Sequence, residues 1–167
     1  MAFDIEAHRG GRALFPENTL QSFANALSMG VNTLELDIGV ARDAAIIVSH
    51  ERKLNPDLAR DANGIYVAPP GIPFVQLSLA EVKKYDVGCI RPGSAYAAQF
   101  PDQHSVPGTP IPTLIEVFDL VRRSGDPEVR STSRPRSIPI IPSSLLIPSA
   151  SSTCCSICFR RRNSATG

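Results

Sequence analysis

The sequence predicts an α/β protein, and three observations near its start support that prediction. Residues 3–7 are mostly apolar and run into a glycine turn, as a first strand would. Residues 20–27 place apolar side chains at helical spacing, and residues 31–40 alternate apolar with polar side chains as a strand does. A further apolar run covers residues 44–49. The order strand, helix, strand, strand is typical of the start of an α/β domain.

The predicted helices have ends that local chemistry explains. Asn18 or Thr19 can cap the first helix, and Gly30 can close it. Two further helices are expected after Ser78 and Thr113, because each is followed three residues later by a glutamate. That spacing is the signature of a capping box.

Two segments depart from this regular pattern. Residues 51–111 are rich in Asn-Pro, Asn-Gly and Pro-Gly pairs, which form turns, and we interpret them as a small insertion. All 16 acidic residues and 12 of the 17 basic residues precede residue 131, whereas residues 131–167 contain five arginines, no acid and many Ser and Pro. We therefore predict a domain over residues 1–130 and a disordered tail over residues 131–167.

Properties of the whole chain argue against two kinds of partner. A net charge of +1 gives no general attraction for nucleic acid. No apolar run approaches the roughly 20 residues that span a bilayer, so stable membrane insertion is not expected. The absence of a signal peptide predicts a cytoplasmic protein, and a start further upstream would allow a periplasmic one.

Glu35 and Asp37 are two residues apart on the predicted strand 31–40. Side chains at this spacing leave a strand on the same face, so the two carboxylates are expected side by side. Two adjacent acids are costly to bury unless a cation lies between them, and Mg²⁺ or Ca²⁺ prefers such oxygen ligands. The alternative is an edge strand with its polar face in water, which periodicity allows equally well.

Five other polar residues follow predicted strands or lie at the start of the first helix. His8 and His50 each end a strand, where a pair of imidazoles can share general acid and base catalysis, although a histidine there is often an ordinary loop residue. Arg9 has the forked donors that suit a phosphate. Glu17 and Asn18 suit either helix capping or contacts to a substrate, and the sequence does not separate the two roles.

Several blocks of the sequence together resemble the glycerophosphodiester phosphodiesterase family. Their order and spacing agree with the family pattern, and this makes the resemblance more specific than any one block. The blocks are His8-Arg9-Gly10, Pro16-Glu17-Asn18-Thr19, Phe23 with Ala26 and Gly30, Glu35-x-Asp37 and Val48-x-His50, and the agreement extends through residues 54–58 and 96–101 to about residue 130. Glu51 departs from the family, which usually has aspartate after this histidine.

The resemblance implies an incomplete TIM (β/α)8 barrel with its site at the carboxyl ends of the strands. It implies hydrolysis of a small glycerophosphodiester to sn-glycerol 3-phosphate and an alcohol, a reaction of lipid metabolism. It further implies that His8 and His50 are the catalytic acid/base pair. By the same resemblance, Glu35 and Asp37 bind Mg²⁺ or Ca²⁺, and Arg9 contacts the phosphate. Glu17 and Asn18 would then contact the substrate.

The family also has a third metal-binding carboxylate, a glutamate on the next strand in a segment like Asn-Ile-Glu-Thr-Lys. This chain instead has Ser-Thr-Ser-Arg-Pro-Arg over residues 131–136. Adding one base before the codon of Ser131 would restore Phe-Asn-Ile-Glu-Thr-Lys, with codons that conflict nowhere. We therefore hypothesise that the segment after Arg130 is translated out of frame and that the chain is truncated and inactive.

Two other interpretations remain open at this point. Under the first interpretation, the chain is a noncatalytic fragment or pseudoenzyme that binds at most an anion or a partner. Under the second it is a phospholipase-type phosphodiesterase on a similar barrel, although such enzymes fit the Pro-Glu-Asn-Thr block less well.

Overall fold

The computed structural model describes residues 4–125 and 129–135, and within them one four-stranded sheet organises the chain. Strand β2 is central, pairing in parallel with β1 and β4 and antiparallel with β3. The strands are β1 (Glu6–Ala7), β2 (Thr33–Val40), β3 (Ile46–Val48) and β4 (Arg130–Pro135). The predicted order of strand, helix, strand, strand is confirmed, and the antiparallel direction of β3 was not part of that prediction.

Within the described residues, four α-helices and two short 3-10 turns connect the strands. The helices are α1 (Leu20–Ser28), α2 (Leu79–Val82), α3 (Ala95–Gln99) and α4 (Leu114–Ser124), and the 3-10 turns cover His8–Gly10 and Phe74–Gln76. In α1, α2 and α4 a capping box closes the first turn, so that backbone N–H groups without helical partners are satisfied. The boxes predicted at Ser78 and Thr113 are confirmed, and at α1 the cap is Thr19 rather than Asn18.

The apolar face of β2 packs against α1 and α4. Leu34 and Leu36 are completely buried there, together with Phe23 from α1 and Val117 from α4. Because side chains alternate along a strand, Glu35 between these leucines and Asp37 after them lie on the opposite face of the sheet. Burial of the leucines therefore fixes the direction in which Glu35 and Asp37 point.

The insertion packs around a second apolar cluster. Leu54, Phe74, Val82 and Ile111 are buried in it, and Ile47 of β3 joins it to the sheet. The segment thus has an interior of its own and is anchored beside the carboxyl half of β2. No helix among the residues described here is long and apolar enough to cross a membrane.

The sheet continues into the segment that the sequence predicted to be a disordered tail. Strand β4 runs to Pro135 and pairs in parallel with β2, with position 134 opposite Asp37 and position 132 opposite Glu35. The first five residues of the predicted tail are therefore a barrel-type strand. The remainder of that tail, residues 136–167, lies outside the described residues.

Asp86 connects distant parts of the insertion. Its carboxylate accepts hydrogen bonds from the backbone N–H groups of Gly88 (2.8 Å) and Thr109 (3.0 Å) and from Arg60 Nε (2.8 Å). Burial opposes ionisation of this carboxyl, but these donors outweigh it and hold the pKa of Asp86 below its ordinary value.

Replacing Asp86 by asparagine is expected to destabilise the chain by about 1–3 kcal/mol at pH 7, because a charged acceptor of three donors is lost. A lowered pKa stabilises the fold above the unfolded-state pKa, and that contribution disappears as pH falls through the folded-state pKa. The difference in the free energy of unfolding between the variant and the unaltered chain should therefore become smaller below about pH 4. Urea unfolding at pH 7 and below about pH 4 measures this difference, and Asp102→Asn at an exposed position is the control. An equal effect of Asp86→Asn at both pH values would contradict this role.

Candidate active site

Glu35 and Asp37 lie side by side in the interior of the sheet. Their side chains are 2% and 1% exposed, and β2 has neighbours on both edges. The alternative of an edge strand with a solvated polar face is therefore wrong. Two buried carboxylates at this spacing require positive charge or hydrogen-bond donors nearby.

Arg9 supplies part of that compensation. Its backbone N–H donates to Glu35 Oε2 (2.9 Å), and its guanidinium Nη1 donates to both oxygens of Glu17 (3.2 and 3.0 Å). Its Nε lies 3.5 Å from Asp37 Oδ2 but makes no hydrogen bond, although it is buried. Arg9 adopts a left-handed backbone conformation (φ 51°), which is strained for a residue with a side chain. The 3-10 turn after β1 therefore fixes one cation among three acids.

Asn18 faces the same carboxylates. Its side-chain amide donates to Asp37 Oδ2 and accepts from the backbone N–H of Asp37, both at 3.4 Å. Asn18 also has a left-handed backbone (φ 56°), and Thr19 takes the capping role. Asn18 therefore contacts a carboxylate of this cluster, and the capping role belongs to Thr19.

The two histidines reach this region from different strands. His8 follows β1, has a side chain 48% exposed, and places Nε2 3.8 Å from Glu35 Oε2. His50 Nδ1 lies 3.1 Å from Glu51 Oε1. Because β3 is antiparallel to β2, the residues that follow β3 lie beside the middle of β2. There, Ser49 N–H donates to the carbonyl oxygen of Asp37 (2.9 Å). His50 is therefore brought to the level of Asp37 rather than to the far end of the strand.

The carboxylates fit a hard divalent cation in type and number. Buried oxygen donors from two acids are the protein ligands with which Mg²⁺ is commonly held, the rest being water or substrate oxygens. No cluster of three or more potential metal ligands occurs among residues 4–125 and 129–135. Position 134, opposite Asp37, carries arginine in this chain.

Comparison with known proteins connects this arrangement to one family. The model of the glycerophosphoryl diester phosphodiesterase family matches residues 8–138. The chain belongs to this family. A glycerophosphodiester phosphodiesterase of Caldanaerobacter subterraneus is 35% identical to it over 118 residues, covering 70% of this chain and 40% of that protein.

Solved structures of glycerophosphodiester phosphodiesterases share the fold. A Silicibacter pomeroyi protein assigned to these enzymes matches with TM-score 0.79 at 32% identity, covering 83% of this chain and 46% of that chain. An Oleispira antarctica phosphodiesterase, solved with the product sn-glycerol-3-phosphate, matches with TM-score 0.55 at 23% identity, covering 80% and 45%. The chain thus spans 40–46% of the length of these three relatives.

The predicted fold class and family are confirmed. The described residues are strands and helices of an incomplete glycerophosphodiester phosphodiesterase TIM barrel. Strands β1, β2 and β4 are adjacent parallel strands of that barrel. In this fold, sites form at the carboxyl ends of the strands, where His8 and Arg9 follow β1.

Sequence reasoning missed one residue that contacts the site. The Tyr96 hydroxyl donates a hydrogen bond to Glu17 Oε2, across 79 positions of the chain. Burial, followed by the nearby Glu17 carboxylate, raises the pKa of Tyr96 well above its ordinary value, so the phenol stays protonated and remains a donor. No local spacing signals a contact of this kind, because it arises only when the insertion folds back onto the barrel.

Proposed function

We propose that the protein hydrolyses glycerophosphodiesters to sn-glycerol 3-phosphate and an alcohol. The observation that supports this most strongly is the juxtaposition of Arg9 with two buried carboxylates, Glu35 and Asp37, at the end of β1 where His8 emerges. A substrate phosphodiester needs an anchoring cation and groups that move protons, and this cluster offers both. The Oleispira antarctica relative bound to sn-glycerol-3-phosphate agrees with that product.

The substrate phosphate would be held by Arg9, whose planar guanidinium suits phosphate oxygens. Nη1 of this guanidinium donates hydrogen bonds to both oxygens of Glu17, so the orientation of the guanidinium is set before the substrate binds. Such preorganisation lowers the cost of ordering a side chain on binding. Asn18 would contact the substrate from the same side, adjacent to Asp37.

His8 and His50 would divide the proton transfers. The contact between His50 Nδ1 and Glu51 favours the tautomer whose Nε2 carries the lone pair, which suits a general base toward the attacking water. His8 is half exposed and can exchange its proton with solvent, which suits a general acid that protonates the departing alkoxide.

Glu35 and Asp37 would hold Mg²⁺ or Ca²⁺. When bound, such a cation neutralises charge on the phosphoryl oxygens. Within the chain itself, Arg9 and Asn18 keep these carboxylates in place through the contacts already described.

We further propose that the segment after Arg130 is translated out of frame and that this chain is inactive for that reason. Restoring the frame would place glutamate at position 134, opposite Asp37 in the β2–β4 ladder. This agreement between the restored motif and the register supports the proposal, since a natural tail has no reason to provide it. Nucleotide sequencing across codons 129–139 tests it, and an uninterrupted frame with other codons would overturn it.

Product analysis tests the proposed function. The protein obtained by adding one base before codon 131, here called the frame-restored protein, should release sn-glycerol 3-phosphate from glycerophosphocholine with Mg²⁺ or Ca²⁺ present. Release of a phosphate-bearing product only from lysophospholipids would favour the phospholipase-type alternative. Binding of sn-glycerol 3-phosphate without turnover of either substrate would favour a noncatalytic protein.

A further inference from the structure

Tyr96 connects the insertion to Glu17 and, through Glu17, to Arg9, which is the residue proposed to bind the substrate phosphate. We propose that Tyr96 is a positioning residue that fixes Glu17 and thereby holds the Arg9 guanidinium in place for the substrate phosphate. The proposal rests on the proposed function for the role of Arg9 toward phosphate, and it adds a residue of the insertion to that site.

The segment that carries Tyr96 is docked onto the turn after β1 by several independent contacts. Arg12 lies over the Phe100 ring at 5.0 Å, Gln103 Nε2 donates to the carbonyl oxygen of Arg12 (2.6 Å), and His104 N–H donates to that of Leu14 (2.8 Å). Tyr96 itself packs on Phe100 with ring centroids 4.9 Å apart. The position of its hydroxyl is therefore determined by the insertion and not by Glu17 alone.

Glu17 is the link between Tyr96 and Arg9. Its side chain is only 8% exposed, and both its oxygens accept from Arg9 Nη1. Arg12 competes for the same carboxylate, with Nη1 4.0 Å from Oε2 and a side chain 29% exposed. The Tyr96 hydroxyl is a neutral donor to Oε2, and this hydrogen bond keeps the Glu17 carboxylate oriented toward Arg9 rather than Arg12.

A misplaced Glu17 would break the hydrogen bonds that hold Nη1 of the Arg9 guanidinium. Nε of Arg9 lies 3.5 Å from Asp37 Oδ2 without a hydrogen bond, so this ion pair constrains the guanidinium less than the hydrogen bonds to Glu17 do. Asn18 N–H donates to the carbonyl oxygen of Arg9 (2.9 Å), which holds the backbone but not the side chain. Loss of one hydroxyl in the insertion should therefore move an arginine that it does not touch.

The test compares Tyr96→Phe with Tyr66→Phe in the 167-residue chain. Tyr66 also lies in the insertion, and its hydroxyl donates to the carbonyl oxygen of Ile90 (3.0 Å) without touching Glu17. Binding of sn-glycerol 3-phosphate is measured by calorimetry, and the Arg9 Nε–Hε signal, assigned with Arg9→Lys, is followed by NMR. We expect Tyr96→Phe to weaken binding about tenfold, in line with loss of a hydrogen bond to a charged group, and to shift the Arg9 signal. Tyr66→Phe should do neither.

The two readouts separate this proposal from the proposed function. If Arg9→Lys leaves binding unchanged, the phosphate role of Arg9 is wrong, and the Arg9 signal alone then decides whether Tyr96 positions it. An unshifted Arg9 signal in Tyr96→Phe overturns the positioning role whatever the affinity. Equal losses of affinity and equal signal shifts in both tyrosine variants would also overturn it, since they would mark a general loosening of the insertion.

Discussion

Replacing Arg134 by glutamate is expected to make the chain bind Mg²⁺ or Ca²⁺ at least about tenfold more tightly than the unaltered chain does. Position 134 is the partner of Asp37 in the parallel β2–β4 ladder, and paired positions share a face of the sheet. The substitution replaces a positive charge with an oxygen donor at the position paired with Asp37. Affinity for hard cations rises with the number of charged oxygen ligands, and a tenfold gain corresponds to about 1.4 kcal/mol.

Calorimetric titration with each cation measures this effect. Arg123→Glu is the matched control, because it makes the same charge change at an exposed position in the last turn of α4. An equal gain in both variants would mean that general charge and not a third ligand is responsible. No gain in Arg134→Glu would contradict the assignment of position 134 to the metal site.

Replacing His50 by alanine in the frame-restored protein is expected to lower kcat by about 10²–10⁴, the range typical for loss of a general base. KM should change far less, because His50 is assigned to proton transfer and Arg9 to phosphate binding. Steady-state kinetics with a glycerophosphodiester measure both constants. His104→Ala is the control, since that histidine lies in the insertion and stacks loosely on Phe15, with ring centroids 5.5 Å apart. Similar losses in the two variants would remove His50 from the proton-transfer role.

The helices were predictable because their determinants are local. Thr113 and Glu116 form a capping box three residues apart, and the glycine that ends α4 has a left-handed backbone (φ 73°). The pairing of Glu35 with Asp37 on one face also follows from strand geometry alone. Local chemistry leaves few alternatives at such positions, so sequence and structure agree there.

Relations between distant segments were not predictable in the same way. The alternation of residues 31–40 does not reveal whether the strand is central or at an edge, and only the pairing of β2 with β1 and β4 excludes the edge. The antiparallel direction of β3 likewise follows from tertiary structure. The link from Tyr96 to Glu17 depends on how a turn-rich segment folds back, which no periodicity encodes. Strand β4 lay within the predicted tail because its composition of Ser, Thr and Arg does not resemble the apolar run that is typical of parallel strands.

The most direct test of the site is release of sn-glycerol 3-phosphate from a glycerophosphodiester by two proteins assayed side by side with Mg²⁺ or Ca²⁺. One is the 167-residue chain and the other is the frame-restored protein. We predict turnover by the frame-restored protein, abolished by a chelator, and none by the chain with arginine at position 134. Comparable turnover by both proteins would contradict the need for a carboxylate at that position, and turnover by neither would contradict the assignment of the site.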